Sequence, residues 1–328
     1  MMRARLERAA TPKAGAAFAL TDVALARLAV IVFLHDCGKL HPGFQAKGWP
    51  RHLWRGALHG HVSEGAAIFS EYALTTLARH LQLETLIEWG VDQNLLYASL
   101  AHHGRPFAPE SRAAAQWTAL ASYDPVAASA EIGVAMRRWF PLAFSADKAP
   151  LPATPEFHHL FCGLVSLADW LGSDRRFFPF VDVLDPDYMD KARRQARRAA
   201  KAIGVDTHAL RAAVQGRALF DILTGLPEPR PQQRLSAEHS LEDQLIILEA
   251  ETGAGKTVAA LWRFARLFEA GLVDSLYFAL PTRAAAVQIH GRVNRVMSRL
   301  FGDGAPEAVL AVPGYLKAGD APGQSLPD

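Results

Sequence analysis

Six residues carry the chemistry that stands out in this 328-residue sequence. His35 and Asp36 close a run of seven apolar residues, Leu28 to Leu34. His61 stands in "LHGHVSEGA", His102 and His103 adjoin in "LAHHGRP", and Asp169 sits in "SLADWLGSD". A carboxylate ending a core-bound run is costly unless a proton or a cation compensates it. Neutral imidazoles with a carboxylate able to bridge are the ligand set of a site for one or two divalent ions such as Mn, Fe, Ni, Co or Zn. Lys39, four residues after His35 and three after Asp36, falls on the same helix face, where its ammonium meets a phosphate oxygen approaching the metal. That arrangement suits hydrolysis of a phosphodiester, with the ions activating a bridging water and stabilising the leaving oxygen. No Ser or Cys nucleophile is needed. Asp36 and Lys39 are the candidate catalytic residues, and His59 rivals His61 because "HGH" offers both.

A second chemistry is written in "AETGAGKT", residues 250–257, a Walker A loop with Ala250 in place of the leading glycine. Gly253, Ala254 and Gly255 let successive backbone N–H groups turn toward a β-phosphate, Lys256 reaches the β and γ oxygens, and Thr257 reaches Mg. With Thr252 these residues form a candidate site for ATP with Mg.

Those residues need elements to position them. From about residue 20 to 200 apolar residues recur three and four apart, as in "LARLAVIVFL", "NLLYASLAHH" and "FHHLFCGLVSLADWLGS", so the ligands are predicted to lie on or at the ends of helices. A basic helix follows, "KARRQARRAAKAIG", bearing Lys191, Arg193, Arg194, Arg197, Arg198 and Lys201. The Pro-rich "TGLPEPRPQQRL" reads as a linker. Beyond it "QLIILEA" and "SLYFALP" read as strands around the Walker loop and the amphipathic helix "VAALWRFARLFEAG", the beginning of a parallel α/β sheet.

The bulk composition sets outer bounds. Half the residues are hydrophobic, so a sizeable core is expected, and 35 basic against 33 acidic residues argue neither for nor against nucleic acid. Two cysteines in apolar surroundings exclude a disulfide framework and a cysteine-rich metal site. Neither a signal peptide nor a transmembrane helix is predicted, so a cytoplasmic protein without a membrane partner is expected.

Taken together, the order H-D, H, H-H, D resembles the HD superfamily of metal-dependent phosphohydrolases. More narrowly, "LHDCGKLHPGFQAK" and "GLVSLADWLGSD" resemble the nuclease domain of the CRISPR-associated helicase-nuclease of type I systems. The resemblance implies a helical bundle that cuts single-stranded DNA with two transition-metal ions. It implies Asp36 as the bridging ligand, His35 and Asp169 on the first metal, and His61, His102 and His103 on the second. The Walker loop and "ALPTRAAAVQIHGRV" resemble superfamily-2 helicases, which implies single-strand contacts at Pro281, Thr282 and Arg283. The same resemblance implies a Q motif in which Gln233, rather than Gln232, reads adenine. By resemblance the partners are single-stranded DNA and a crRNA-guided surveillance complex.

The expected organisation is a mainly α HD-type nuclease domain over 1–205, a linker with the Q motif over 206–240, and a partial α/β RecA-like P-loop domain over 241–328. The family pattern begins with a further His several dozen residues before the HD pair, and none of the 34 residues before His35 is His. An acidic Walker B box and a second RecA-like domain are also missing, so a chain truncated at both ends is expected, one that binds nucleotide without unwinding DNA. The alternatives are an HD-type nucleotide phosphohydrolase and a truncated, non-catalytic module that binds DNA or partners.

Overall fold

The computed structural model describes residues 2–13, 15–70, 74–104, 117–120, 122–181, 185, 187–313 and 315–317. The chain divides into two compact units, Met1–Ala199 and Ala200–Asp328.

The first unit is helical among its described residues. In chain order it holds α1 (Met2–Ala10), α2 (Asp22–Leu34), α3 (Pro42–Gln45), α4 (Val62–Ser70), α5 (Thr75–His80), α6 (Leu83–Glu88), α7 (Gln93–Leu100), α8 (Pro125–Trp139), α9 (Pro155–Gly172) and most of α10 (Tyr188–Ala202). Side chains that accept a hydrogen bond from the first turn start several of them: Thr21 for α2, Asp92 for α7, Asp124 for α8 and Thr154 for α9. The apolar run that prompted the metal reading is the inner part of α2. Val23, Ala24, Arg27, Leu28, Val30, Ile31 and Leu34 are buried there, in a core shared with Ile68, Leu81, Met136, Phe157 and Val165. α7 packs on α9, and α4 packs on the 3-10 turn Cys37–Leu40 that follows α2.

Arg27 is the unforeseen member of that core. Its guanidinium, 5% exposed, donates to the carbonyls of Ala143 at 3.2 Å, Asp147 at 2.8 Å and Ala149 at 3.0 Å, and lies 5.1 Å from the Trp89 ring centre. Helical periodicity places residue 27 on the apolar face, and the multiple donors of Arg satisfy carbonyls of the 3-10 turn Pro141–Phe144 and of the irregular chain after it.

The second unit departs from expectation in two ways. First, 206–240 is no linker: α11 (His208–Val214), α12 (Phe220–Thr224) and α13 (Pro231–Glu238) bury Val214, Phe220, Leu223 and Ala237 in a core with α14 (Lys256–Glu269) and α15 (Arg283–Phe301). The Pro and Gly residues punctuate short helices instead. Pro231 occupies the first turn of α13, and Gly225 ends α12 with φ 73°.

Second, "QLIILEA" and "SLYFALP" belong to no ladder. Among the described residues the sheet is one antiparallel hairpin, β1 (Leu310–Val312) with β2 (Tyr315–Lys317). Residues 246, 248 and 250 are half-buried while 245, 247 and 249 are exposed, the period-2 pattern of a strand. Leu245, Ile247 and Tyr277 are 80%, 78% and 90% exposed. Local pattern sets extended backbone and its inward face, but a strand exists only through hydrogen bonds to a neighbour. The parallel α/β sheet expected from sequence is therefore not formed among the described residues. No helix among the described residues is long and apolar enough to cross a membrane.

Candidate metal centre

The six residues singled out by type and spacing meet at one place, although only Asp169 lies inside a helix. α2 ends at Leu34, so His35 is its C-cap and Asp36 begins the 3-10 turn. His61 directly precedes α4, and His102 and His103 lie in the turn after α7. The expectation that His35, Asp36 and Lys39 share a helix face is corrected accordingly. Helix ends serve better here, because carbonyls of the last turn keep lone-pair capacity to orient the imidazoles, although Val32 O also accepts the His35 backbone N–H at 3.2 Å.

That orientation is visible for two rings. His35 Nδ1 lies 2.6 Å from Val32 O and His102 Nδ1 lies 3.2 Å from Ser99 O. Each contact puts the proton on Nδ1 and turns the Nε2 lone pair inward. Ser99 is held in turn by its hydroxyl, which donates to Ile31 O at 3.0 Å, so α2 and α7 are tied together behind the site.

Acceptors then converge. Asp36 Oδ2 faces His35 Nε2 at 3.3 Å, while Oδ1 faces His61 Nε2 at 3.2 Å and His102 Nε2 at 3.7 Å. His61 Nε2 is 3.4 Å from His102 Nε2 and 3.0 Å from His103 Nε2, and Asp169 Oδ1 is 3.6 Å from His35 Nε2. Two groups of ligand atoms, His35, Asp36 and His102, and His61, His102 and His103, each lie within 4.8 Å. Lys39 Nζ donates to Asp36 Oδ2. His35 Nε2 and Asp36 Oδ1 are buried with no hydrogen-bond partner, an arrangement that costs free energy unless a proton or a cation takes up their lone pairs. The donor set, imidazole nitrogen and carboxylate oxygen, fits a divalent transition metal.

Electrostatics agree with the geometry. Burial alone would raise the Asp36 pKa, but His35 and Lys39 outweigh it and hold the carboxyl well below the usual range, ionised. Burial pushes His61 down to about 4 against the pull of Asp36, and lowers His102 as well, so both are neutral at physiological pH. Burial would also lower His35; Asp36, the Val32 carbonyl and Asp169 outweigh it and raise the pKa in the metal-free chain.

His59 is placed elsewhere. Its Nδ1 lies 3.1 Å from Glu64 Oε1 and its ring centre lies 4.4 Å from that of His41, the planes tilted by 38°; His41 is buried, and its Nδ1 accepts from Gly43 N at 2.9 Å. Sequence reasoning missed Gly38, where the chain passes so close to His61 that a Cβ would lie 1.8 Å from the His61 carbonyl oxygen. Its signal was a glycine inside the HD turn, where no side chain fits.

The nucleotide-site candidates lie together in the second unit. Gly253 and Gly255 have φ of 84° and 87°, conformations that favour glycine, and Lys256 begins α14. Lys256 Nζ is folded onto the loop, donating to the carbonyls of Ala250 and, at 3.1 Å, Glu251. Thr252 is exposed, and Ala254 and Thr257 are half-buried. Gln233, 6% exposed, receives Arg230 N at 2.9 Å on its carbonyl and sends its amide toward Gly255 O at 3.3 Å. Arg230 donates to Gly253 O at 2.7 Å. Pro281, Thr282 and Arg283 are exposed at the start of α15, which Thr282 caps through Ala285 N.

Comparison with known proteins bears on both units. Residues 1–178 match the family described as "Cas3, HD domain". The chain is 34% identical over 303 residues to the CRISPR-associated endonuclease/helicase Cas3 of Thermus thermophilus, covering 86% of this chain and 31% of that protein. It is 29% identical over 229 residues to the Escherichia coli protein of the same description, covering 65% of this chain and 25% of that one. The chain thus spans less than a third of the length of these curated relatives. The crystal structure of T. fusca Cas3-AMPPNP superposes with a TM-score of 0.55 at 22% identity, over 86% of this chain and 32% of that one, a likeness of fold. The chain belongs to the Cas3 family, and residues 1–178 are its HD domain.

Proposed function

We propose that the first unit is a metal-dependent nuclease that cuts single-stranded DNA in type I CRISPR interference. The observation that carries this reading is the pair of buried, unpartnered acceptors, His35 Nε2 and Asp36 Oδ1, where four imidazoles converge around Asp36, with the Asp169 carboxylate 3.6 Å from His35. His35, Asp36 and Asp169 would hold one ion and His61, His102 and His103 a second, with Asp36 shared because its two oxygens face the two groups. Divalent ions supply Lewis-acid stabilisation of phosphoryl oxygens and activation of the attacking water. The chain's own residues do the rest. Val32 and Ser99 carbonyls fix the imidazole tautomers, the Asp36 carboxylate stays ionised, and the Lys39 ammonium offers a charge for the incoming phosphate.

In the second unit, Thr252, Gly253, Ala254, Gly255, Lys256 and Thr257 bind ATP with Mg, Gln233 reads the adenine edge, and Pro281, Thr282 and Arg283 meet the strand. A crRNA-guided surveillance complex delivers the DNA. These assignments draw on the matched relatives and the exposed loop geometry.

Purified chain loaded with Mn or Co should carry close to two ions and cleave single-stranded oligonucleotides, and Asp36→Ala should abolish both properties. Product release from free nucleotides rather than oligonucleotides would instead favour a nucleotide phosphohydrolase. Absence of bound metal would favour a non-catalytic module.

A further inference from the structure

The outer face of α10 carries charge that the metal centre does not use. The helix is seated by its apolar side, where Ala199 is fully buried and the Tyr188 ring lies 5.9 Å from Trp139. Acidic residues cluster at its start. Asp185 pairs with Lys191 at 2.6 Å and Asp190 pairs with Arg193 at 3.7 Å. Arg194, Arg197 and Arg198 are exposed, and among the described residues none has an ion pair or hydrogen bond. Spaced three and four apart, they stand on one face over about 6 Å of helix.

A favourable helix dipole does not account for them. That effect is confined to the last turn, where Lys201 is the basic residue. Like charges at this spacing repel one another within the helix, a cost that local acids do not relieve here. A polyanion relieves it. Guanidinium groups match phosphate oxygens through paired N–H donors, and three in a row match successive phosphates of one strand.

We propose that Arg194, Arg197 and Arg198 form an accessory, sequence-independent track for the phosphodiester backbone of single-stranded DNA. The track rests on the single-strand reading of the metal centre, and binding measured without metal lets the two fail separately. The occupant is a strand rather than an acidic protein because the other exposed positions of α10, Asp190, Lys191, Arg193, Ala196, Lys201 and Ala202, add no large apolar side chain.

The test is fluorescence anisotropy of labelled oligothymidylate with the full chain in EDTA, across a salt series. The triple variant Arg194→Gln, Arg197→Gln, Arg198→Gln should flatten the slope of log affinity against log salt by about 2, at about 0.7 per phosphate released. The affinity advantage of the unsubstituted chain should shrink about twentyfold between about 50 and 200 mM salt. The corresponding triple Lys variant should retain the slope. In the unsubstituted chain, bound oligothymidylate should protect all three arginines from phenylglyoxal, which keeps the proposal testable if the Gln variant misfolds. An unchanged slope, a loss confined to duplex DNA, an equal loss for polyglutamate, or absence of protection would each overturn it.

Discussion

Substituting Gly38 by Ala tests whether the HD turn positions His61 by backbone contact. The new Cβ would stand 1.8 Å from His61 O, 2.7 Å from His61 C and 2.6 Å from Gly65 N. An ordinary carbon–oxygen approach is about 3.3 Å, so the two segments must part by about 1.5 Å. The carbonyl cannot swing aside cheaply, because it accepts Gly65 N at 2.8 Å and so closes the first turn of α4. Overpacking of this kind costs about 1–3 kcal/mol, a fall on the order of 5 °C in melting temperature for a unit of this size. The effect on the site is larger. A ligand displaced by about 1.5 Å lies far outside the roughly 0.2 Å tolerance of a metal–ligand bond, so His61 should be lost as a ligand. Calorimetric titration with Mn or Co should show the ion held by His61, His102 and His103 weakened by about a hundredfold or more, with single-strand cleavage reduced in parallel. Ala at Gly48 or Gly163, where a Cβ meets nothing within 4 Å, serves as the control and should bind metal normally. A Gly38→Ala chain that binds both ions with ordinary affinity would refute the argument.

Other perturbations probe the surroundings. Replacing Arg27 by Met keeps the apolar stem but strands the carbonyls of Ala143, Asp147 and Ala149, and should cost about 3 kcal/mol in urea unfolding; a change below about 0.5 kcal/mol would show those contacts to be incidental. In EDTA, His61 stays neutral in the folded chain down to about pH 4, whereas the unfolded imidazole takes its proton near 6.5. The unfolded state therefore binds more protons between those values, and stability should fall as pH drops from about 6.5 toward 4, by up to about 3 kcal/mol before solvent screening reduces it. His102 acts in the same direction and His35, whose pKa is raised, in the opposite one, so the measurement is the difference from His61→Gln across that window. Parallel pH profiles would count against a buried, neutral His61.

The helical half was legible because its signals are local. Apolar periodicity marks α2, α7 and α9, and Thr21, Asp92 and Thr154 stand where side chains cap helix starts. The second unit was less legible for the opposite reason. Whether "QLIILEA" becomes a strand depends on a partner from elsewhere in the chain, and burial of Phe220 and Leu223 depends on α14 and α15 arriving beside them. A Pro-rich stretch looks the same in a linker and in a chain of short packed helices.

The sequence alone determined the chemistry on offer: imidazoles and carboxylates at six positions, a lysine beside them, and a glycine-bearing loop that ends on Lys256 and Thr257. Residue type and local spacing suffice for that, since each is a property of a few neighbours along the chain. Only tertiary structure decided that residues from 35 to 169 share one centre, that His61 rather than His59 faces Asp36, and that His35 Nε2 and Asp36 Oδ1 are left without protein partners. Those outcomes follow from how α2, α4, α7 and α9 pack. Distances of a few ångströms between residues far apart in sequence are set by the whole core and by no part of it.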